Sequence, residues 1–124
     1  MSKRILVIED TEDNRQIIRD LLSSAGYEMI EAVDGIEGVA VAERERPDLI
    51  LMDIQLPGID GYEATRRIRA LPEIGRMPII AVTSYALSGD EAKTREAGCD
   101  GYVAKPFSPR QLLAKVREFL PDAE

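Results

Sequence analysis

The feature that most constrains this chain is an alternation. Short, unbroken apolar runs recur along it, and each is followed by a longer stretch with apolar residues at helical spacing. "RILVIED" opens the series, with Ile5 to Ile8 continuous. "NRQIIRDLLSSAG" follows, with Ile17, Ile18, Leu21, Leu22 and Ala25 at helical intervals. Thr11 or Asp13 is the expected cap of that helix, and Gly26 suits its C-terminal stop. "YEMIEAV" reads as a second strand, more alternating than the first. Asp34–Gly35 then turns into a helix running to about Glu43, weakened by Gly38 and closed off by Pro47. "DLILMD" is the third strand, followed by a helix over about 62–70 and a proline-bearing loop at 72–78. "PIIAVTS" is the fourth strand, and "SGDEAKTREAG" a polar helix ending at Gly98. "GYVAKP" is a short fifth strand broken by Pro106. The last helix takes Ser108 as cap and Pro109 in its first turn, and buries Leu112, Leu113, Val116 and Leu120.

A continuous apolar strand is one covered on both faces, which is the condition of parallel strands under two layers of helix. Five strand–helix pairs with right-handed crossovers therefore predict an α/β, doubly wound parallel sheet. Ligands of such sheets bind beyond the carboxyl ends of the strands. What leaves the strands at that end is informative. Strand one ends in Glu9–Asp10, strand three in Asp53, strand four in Thr83–Ser84 and strand five in Lys105–Pro106. The third case poses a chemical question: in "LILMDIQLPGIDG", four apolar residues deliver a carboxylate out of the end of the core, just before the chain breaks at Pro57–Gly58.

Three carboxylates sharing one rim repel and raise one another's pKa unless a cation intervenes. The chain has 124 residues, a net charge of −7, one cysteine and no histidine. The commonest general base and transition-metal ligand are thus missing, and oxygen-only donors favour Mg2+. A cation there would shield Asp53 and leave it a usable nucleophile toward a phosphoryl group, with Lys105 and the Thr83 hydroxyl to receive the added oxygens. The acidic balance argues against general affinity for nucleic acid or anionic membrane. No apolar run approaches the roughly 18–20 residues of a membrane span, and the start lacks a signal-peptide pattern. Lone Cys99 reads as a small packing residue in a reducing, cytoplasmic setting. Arg66, Arg67 and Arg69 read as a solvated basic face.

The acidic pair Glu9–Asp10, "LILMDIQLPGIDG" around Asp53, "AVTSYA" with Thr83 and "AKPF" with Lys105 together resemble the response-regulator receiver domain of two-component signalling, over essentially the whole sequence. The resemblance implies a flavodoxin-like (βα)5 three-layer sandwich with a five-stranded sheet in the order 2-1-3-4-5. It implies a single receiver domain over 1–124 with no output domain. Asp53 matches the phosphoacceptor and Asp10 the direct Mg2+ ligand. Glu9 matches the acid that acts through a metal-bound water, and the Gln55 backbone carbonyl completes the metal set. Thr83 matches the switch hydroxyl, Lys105 the phosphate contact with a cis bond to Pro106, and Tyr102 the aromatic switch that turns inward when Thr83 moves. Ser84 is small and leaves the acceptor open, while Gln55 and Tyr85 stand where the family tunes access of water. Such a protein is not an enzyme in its own right but a bacterial phosphoacceptor that assists its own phosphotransfer and dephosphorylation. Its expected partners are a histidine kinase or histidine phosphotransfer protein, and a downstream protein met at helix four, strand five and helix five. It needs neither nucleic acid nor membrane insertion, and is expected as a monomer or weak dimer.

Taken singly, each of these residues has a plainer reading: Asp53 and Glu9–Asp10 as caps or turn residues, Thr83 as a β-branched strand residue, Lys105 as surface charge, Tyr102 as packing. Their conjunction at the strand ends argues against those. A phosphohydrolase working through an aspartyl phosphate would want an acid two residues after Asp53, where Gln55 stands. A nucleotide or flavin module would want a phosphate-cradling first loop, where "EDTEDN" repels anions. A receiver acting without phosphorylation leaves the acidic set without a purpose.

Overall fold

The computed structural model describes residues 2–73, 76–84 and 90–120. Five strands alternate with five helices: β1 (Arg4–Ile8), α1 (Glu12–Ser24), β2 (Glu28–Ala32), α2 (Gly35–Glu45), β3 (Leu49–Asp53), α3 (Gly61–Arg69), β4 (Ile79–Thr83), α4 (Asp90–Ala97), β5 (Gly101–Ala104) and α5 (Pro109–Phe119). All strand pairings are parallel, in the order β2-β1-β3-β4-β5.

The apolar runs explain the layering. Successive side chains of a strand point to opposite faces, so an unbroken run feeds two cores. Leu6, Ile8, Ile50, Met52, Ile79 and Ala81 pack on one side against Val41 and Ala42 of α2 and Ala64 and Ile68 of α3. Ile5, Val7, Leu49, Leu51, Ile80 and Val82 pack on the other against Ile18 and Leu22 of α1 and Leu112 and Val116 of α5. The central strands β3 and β4 are buried at every residue, whereas edge strand β2 is buried only at Ala32. This is why "YEMIEAV" alternates and the others do not.

Three helix starts follow local rules. Asp34 and Asp60 accept from the backbone N–H of Glu37 and Glu63, and Ser108 forms a reciprocal capping box with Gln111. Gly26 has the positive φ of 90° expected after α1. Thr11 stands at the N-cap of α1, but its side chain makes no capping bond, and the helix begins at Glu12. Gly38 is more than a weak spot in α2. A Cβ there would lie 2.5 Å from Ile8 Cδ1, so the missing side chain lets the helix close down on β1.

Two sequence expectations need correction. Arg66 and Arg67 are solvated and pair with Glu63, but Arg69 is not part of an exposed face. Its guanidinium reaches the carbonyls of Gly98 and Met77 and the Asp100 carboxylate, tying α3 to the loops before β4 and β5. Ile17 has helical spacing yet is 53% exposed. The buried stripe of α1 is Arg15, Ile18 and Leu22, three and four residues apart, and Ile17 falls beside it.

Candidate functional site

The strand order reverses between β1 and β3, where the chain leaves β1 for β2 and returns on the far side. Ile8 pairs with Met52 in register, so Glu9–Asp10 and Asp53 emerge side by side. Carboxylate oxygens of Glu9, Asp10 and Asp53 all lie within 4.8 Å of one another. Asp10 is exposed, whereas Glu9 and Asp53 are only 2% and 3% exposed. The contrast comes from position: Glu9 and Asp53 continue strands that are roofed on both sides, and Asp10 is already in the loop.

Each buried acid is held by name. Glu9 donates its N–H to the Ala32 carbonyl, and its side chain accepts from the Thr11 N–H at 3.0 Å and the Asn14 amide at 3.3 Å. Asp53 Oδ1 accepts from the Gln55 N–H at 3.0 Å. Lys105 follows β5, and its Nζ bridges the two, 3.1 Å from Asp53 Oδ2 and 3.3 Å from Glu9 Oε1. Its own N–H bonds the Thr83 carbonyl at 2.8 Å, and its bond to Pro106 is cis.

The electrostatics are uneven. Burial pushes the Asp53 carboxyl up to about 6, with the neighbouring Glu9 charge adding to the effect and the Gln55 N–H and Lys105 opposing it. Glu9 is buried too, which alone would raise it. The Thr11 N–H, a hydrogen bond with Asp53 and the Lys105 charge outweigh burial and bring Glu9 below its ordinary value. Burial works against the Lys105 ammonium, but Asp53 and Glu9 more than compensate and hold it protonated to higher pH. One lysine thus serves two buried carboxylates beside a third acid. This donor set is all oxygen, convergent and short of positive charge, which fits a hard divalent cation such as Mg2+.

The remaining sequence candidates sort around this point. Thr83 is fully buried at the end of β4, beside Lys105. Ser84 is exposed and donates its N–H to the Gln55 side-chain oxygen at 3.1 Å, so Gln55 spans from the loop after β3 to the end of β4 across the rim. Tyr102 sits half-buried on β5 opposite Ala81. Tyr85 lies outside the described residues. Cys99 packs against the Thr65 hydroxyl, and its burial pushes the thiol up.

Two residues at the site were not singled out from sequence. Asn14 bonds Glu9 Oε2, and Arg15 Nη1 donates to the Glu9 carbonyl at 2.8 Å. A signal for Arg15 was present: it holds an apolar-stripe position in register with Ile18 and Leu22.

A parallel sheet in this order with three acids and a lysine at its switch point defines a class of protein, and residues 5–117 match the model of the response regulator receiver domain. The chain belongs to that family, the receiver domains of two-component signalling. It is 42% identical over 123 residues to the polar-differentiation response regulator DivK of Brucella anthropi, covering 99% of this chain and 100% of that protein. Among solved structures it is similar to the receiver domain of the sensor histidine kinase PA1611 from Pseudomonas aeruginosa PAO1, solved with a magnesium ion coordinated in its active site cleft. That likeness has a TM-score of 0.90 and 44% identity, over 98% of this chain and 100% of the other. A CheY-like receiver domain protein from Methanospirillum hungatei JF-1 aligns with a TM-score of 0.88 at 35% identity, over 99% and 97% of the two chains. Among the described residues no helix is long and apolar enough to cross a membrane.

Proposed function

We propose that Asp53 accepts a phosphoryl group from a phosphohistidine of a histidine kinase or histidine phosphotransfer protein, in the cytoplasm. A carboxylate oxygen of Asp53 attacks phosphorus, the P–N bond to the donor imidazole breaks, and the departing ring nitrogen takes a proton. The observation that carries this reading is the placement of Asp53: 3% exposed, elevated in pKa, yet on the rim beside Asp10, Glu9 and the Lys105 ammonium. Glu9, Asp10, Asp53 and the Gln55 carbonyl are the residues to hold Mg2+. When bound, the ion neutralises the converging phosphoryl and carboxylate oxygens. Lys105 is already 3.1 Å from Asp53 Oδ2 and can transfer its ion pair to a phosphoryl oxygen without leaving the site. The domain in this way assists its own transfer and its own hydrolysis.

The donor approaches along an open groove formed by Ile17 of α1 with Pro106 and Phe107, with Lys105 and Glu9 at its end. An exposed isoleucine facing an exposed proline beside the acceptor suits an apolar helix carrying the phosphohistidine. Output uses the neighbouring face, which meets the groove at Pro106. Thr83 turns toward the new phosphoryl group, Tyr102 follows it inward, and the face of α4, β5 and α5 changes shape for a downstream protein. The α4 helix meets the body through two small residues, Thr94 and Ala97, a thin anchor suited to such a shift.

Incubation with acetyl phosphate followed by intact-mass analysis tests the reading. One phosphoryl adduct is expected, dependent on Mg2+ and lost in Asp53→Asn. A folded protein that takes no adduct under any condition would instead be a phosphorylation-independent binding module. Gln55 and Tyr85 are proposed to limit the approach of water, and the Gln55 bond to Ser84 supports the first of these. The Gln55→Ala, Tyr85→Ala double variant should therefore lose its phosphoryl group faster than wild type. Equal lifetimes would remove both residues from that role.

A further inference from the structure

Arg15 is the buried cation of α1. It is 9% exposed, at a helix position where its neighbours on the stripe are Ile18 and Leu22. An arginine costs free energy there unless each of its donors is met. Each of its nitrogens has a partner. Nη1 donates to the Glu9 main-chain carbonyl at 2.8 Å, Nε to Glu31 Oε1 at 3.1 Å and Nη2 to Glu12 Oε1 at 2.6 Å. Glu31 lies on edge strand β2 and is held in turn by Arg19, 2.6 Å away. The guanidinium is therefore anchored at both ends of its fork, and among the described residues the one main-chain group it grips is the carbonyl of Glu9.

That carbonyl belongs to the peptide joining Glu9 to Asp10. The N–H of Glu9 is already fixed by Ala32, so the Glu9 backbone is pinned on both sides. Asp10 is exposed and begins a loop, a place where a chain is ordinarily free to turn. We propose that Arg15 is the positioning residue of the cation site: braced on Glu31 and Glu12, it fixes the Glu9–Asp10 peptide and so aims Asp10 and Glu9 at one point beside Asp53. This rests on the reading of Glu9, Asp10 and Asp53 as a Mg2+ site.

A sign separates positioning from plain electrostatics. Removing a positive charge near three carboxylates should by itself tighten Mg2+ binding. Removing the brace should weaken it, because partners that orient ligands typically govern about tenfold or more of metal affinity. The experiment is direct Mg2+ titration of the unphosphorylated protein, followed by calorimetry and by the amide resonances of Asp10 and Asp53. For Arg15→Met the Mg2+ Kd should rise roughly tenfold. The Mg2+ concentration for half-maximal adduct formation should rise with it, while the rate at saturating Mg2+ stays close to wild type. Arg19→Met loses the same charge and the same partner, Glu31, but not the Glu9 contact, and should keep the wild-type Kd or tighten it.

An unchanged or lower Kd in folded Arg15→Met overturns the proposal, as does a fall in the saturated rate with no change in Kd. Should Arg15→Met not fold, Arg15→Lys decides. One ammonium cannot span Glu9, Glu31 and Glu12, so a raised Kd is expected there too, and a wild-type Kd overturns the proposal. Wild type that binds no Mg2+ overturns the metal site itself, and the role of Arg15 with it.

Discussion

Gly61→Ala should be among the most damaging single substitutions in the domain, lowering stability by about 3 kcal/mol. Gly61 opens α3, directly beneath the acceptor. A Cβ there would sit 2.4 Å from the Asp53 carbonyl oxygen and 2.6 Å from Ile54 Cα. Both are backbone atoms of the strand end, so relief requires moving the chain that carries Asp53 and not merely a side-chain tip. The Gly61 N–H also bonds the Ile54 carbonyl at 2.9 Å, which holds the two segments at this separation. Alanine would gain about 1 kcal/mol of helix propensity, too little to offset the clash. Gly38→Ala is the control. Its Cβ would meet only side-chain atoms of the buried Ile8, 2.5 Å from Cδ1 and 2.9 Å from Cγ1, which can shift without moving the strand backbone, so the loss should be smaller, about 1 kcal/mol. Urea midpoints at unchanged slope measure both. Equal midpoints for the two variants would refute the idea that backbone contact at Asp53 is what Gly61 serves.

Asp53→Asn should make the metal-free protein more stable by roughly 1–3 kcal/mol at pH 7.5. The carboxyl is raised in the folded state from the ordinary 3.8 to about 6, chiefly by burial. A raised carboxyl means that the folded protein holds its proton more tightly than the unfolded chain does. Stability is therefore lost as pH rises from about 3.8 toward 6, and the full loss stands above 6. Asparagine avoids it. The gain of the variant should be largest above pH 6 in EDTA and should vanish toward pH 4. Mg2+ should narrow it by stabilising wild type. A variant no more stable than wild type at pH 7.5 would mean that Lys105 fully compensates the buried charge. The strain resides in the residue the proposed chemistry needs, and a reactive carboxylate held out of water is a cost the rest of the core has to carry.

The layered fold was legible because the apolar runs of β1, β3 and β4 leave a chain few alternatives. Side chains alternate across a strand, and a run without polar gaps must be covered on both faces. The acidic pair, Asp53, Thr83 and Lys105 were legible for the same reason: once the strands are parallel, their carboxyl ends share an edge. The misreadings have a common cause as well. Residue type and rough spacing do not place Ile17 and Arg69, because a helix buries only a stripe set by its angle to the sheet. Ile17 fell outside that stripe and Arg15 inside it. Arg69 became internal because the loops before β4 and β5 offer it the Met77 and Gly98 carbonyls, the second a contact between segments 29 residues apart in the chain.

The sequence by itself determined the alternating elements, the parallel sheet and the residues that stand at its carboxyl edge, because these follow from side-chain period and from the chemistry of what ends each run. Only the tertiary structure decided how those residues are held: that Lys105 bridges Glu9 and Asp53, that Gln55 crosses to Ser84, and that Arg15 grips the peptide before Asp10. Hydrogen bonds between groups on different elements depend on ångström-level placement. That placement is set by packing of the whole domain, which no local pattern encodes.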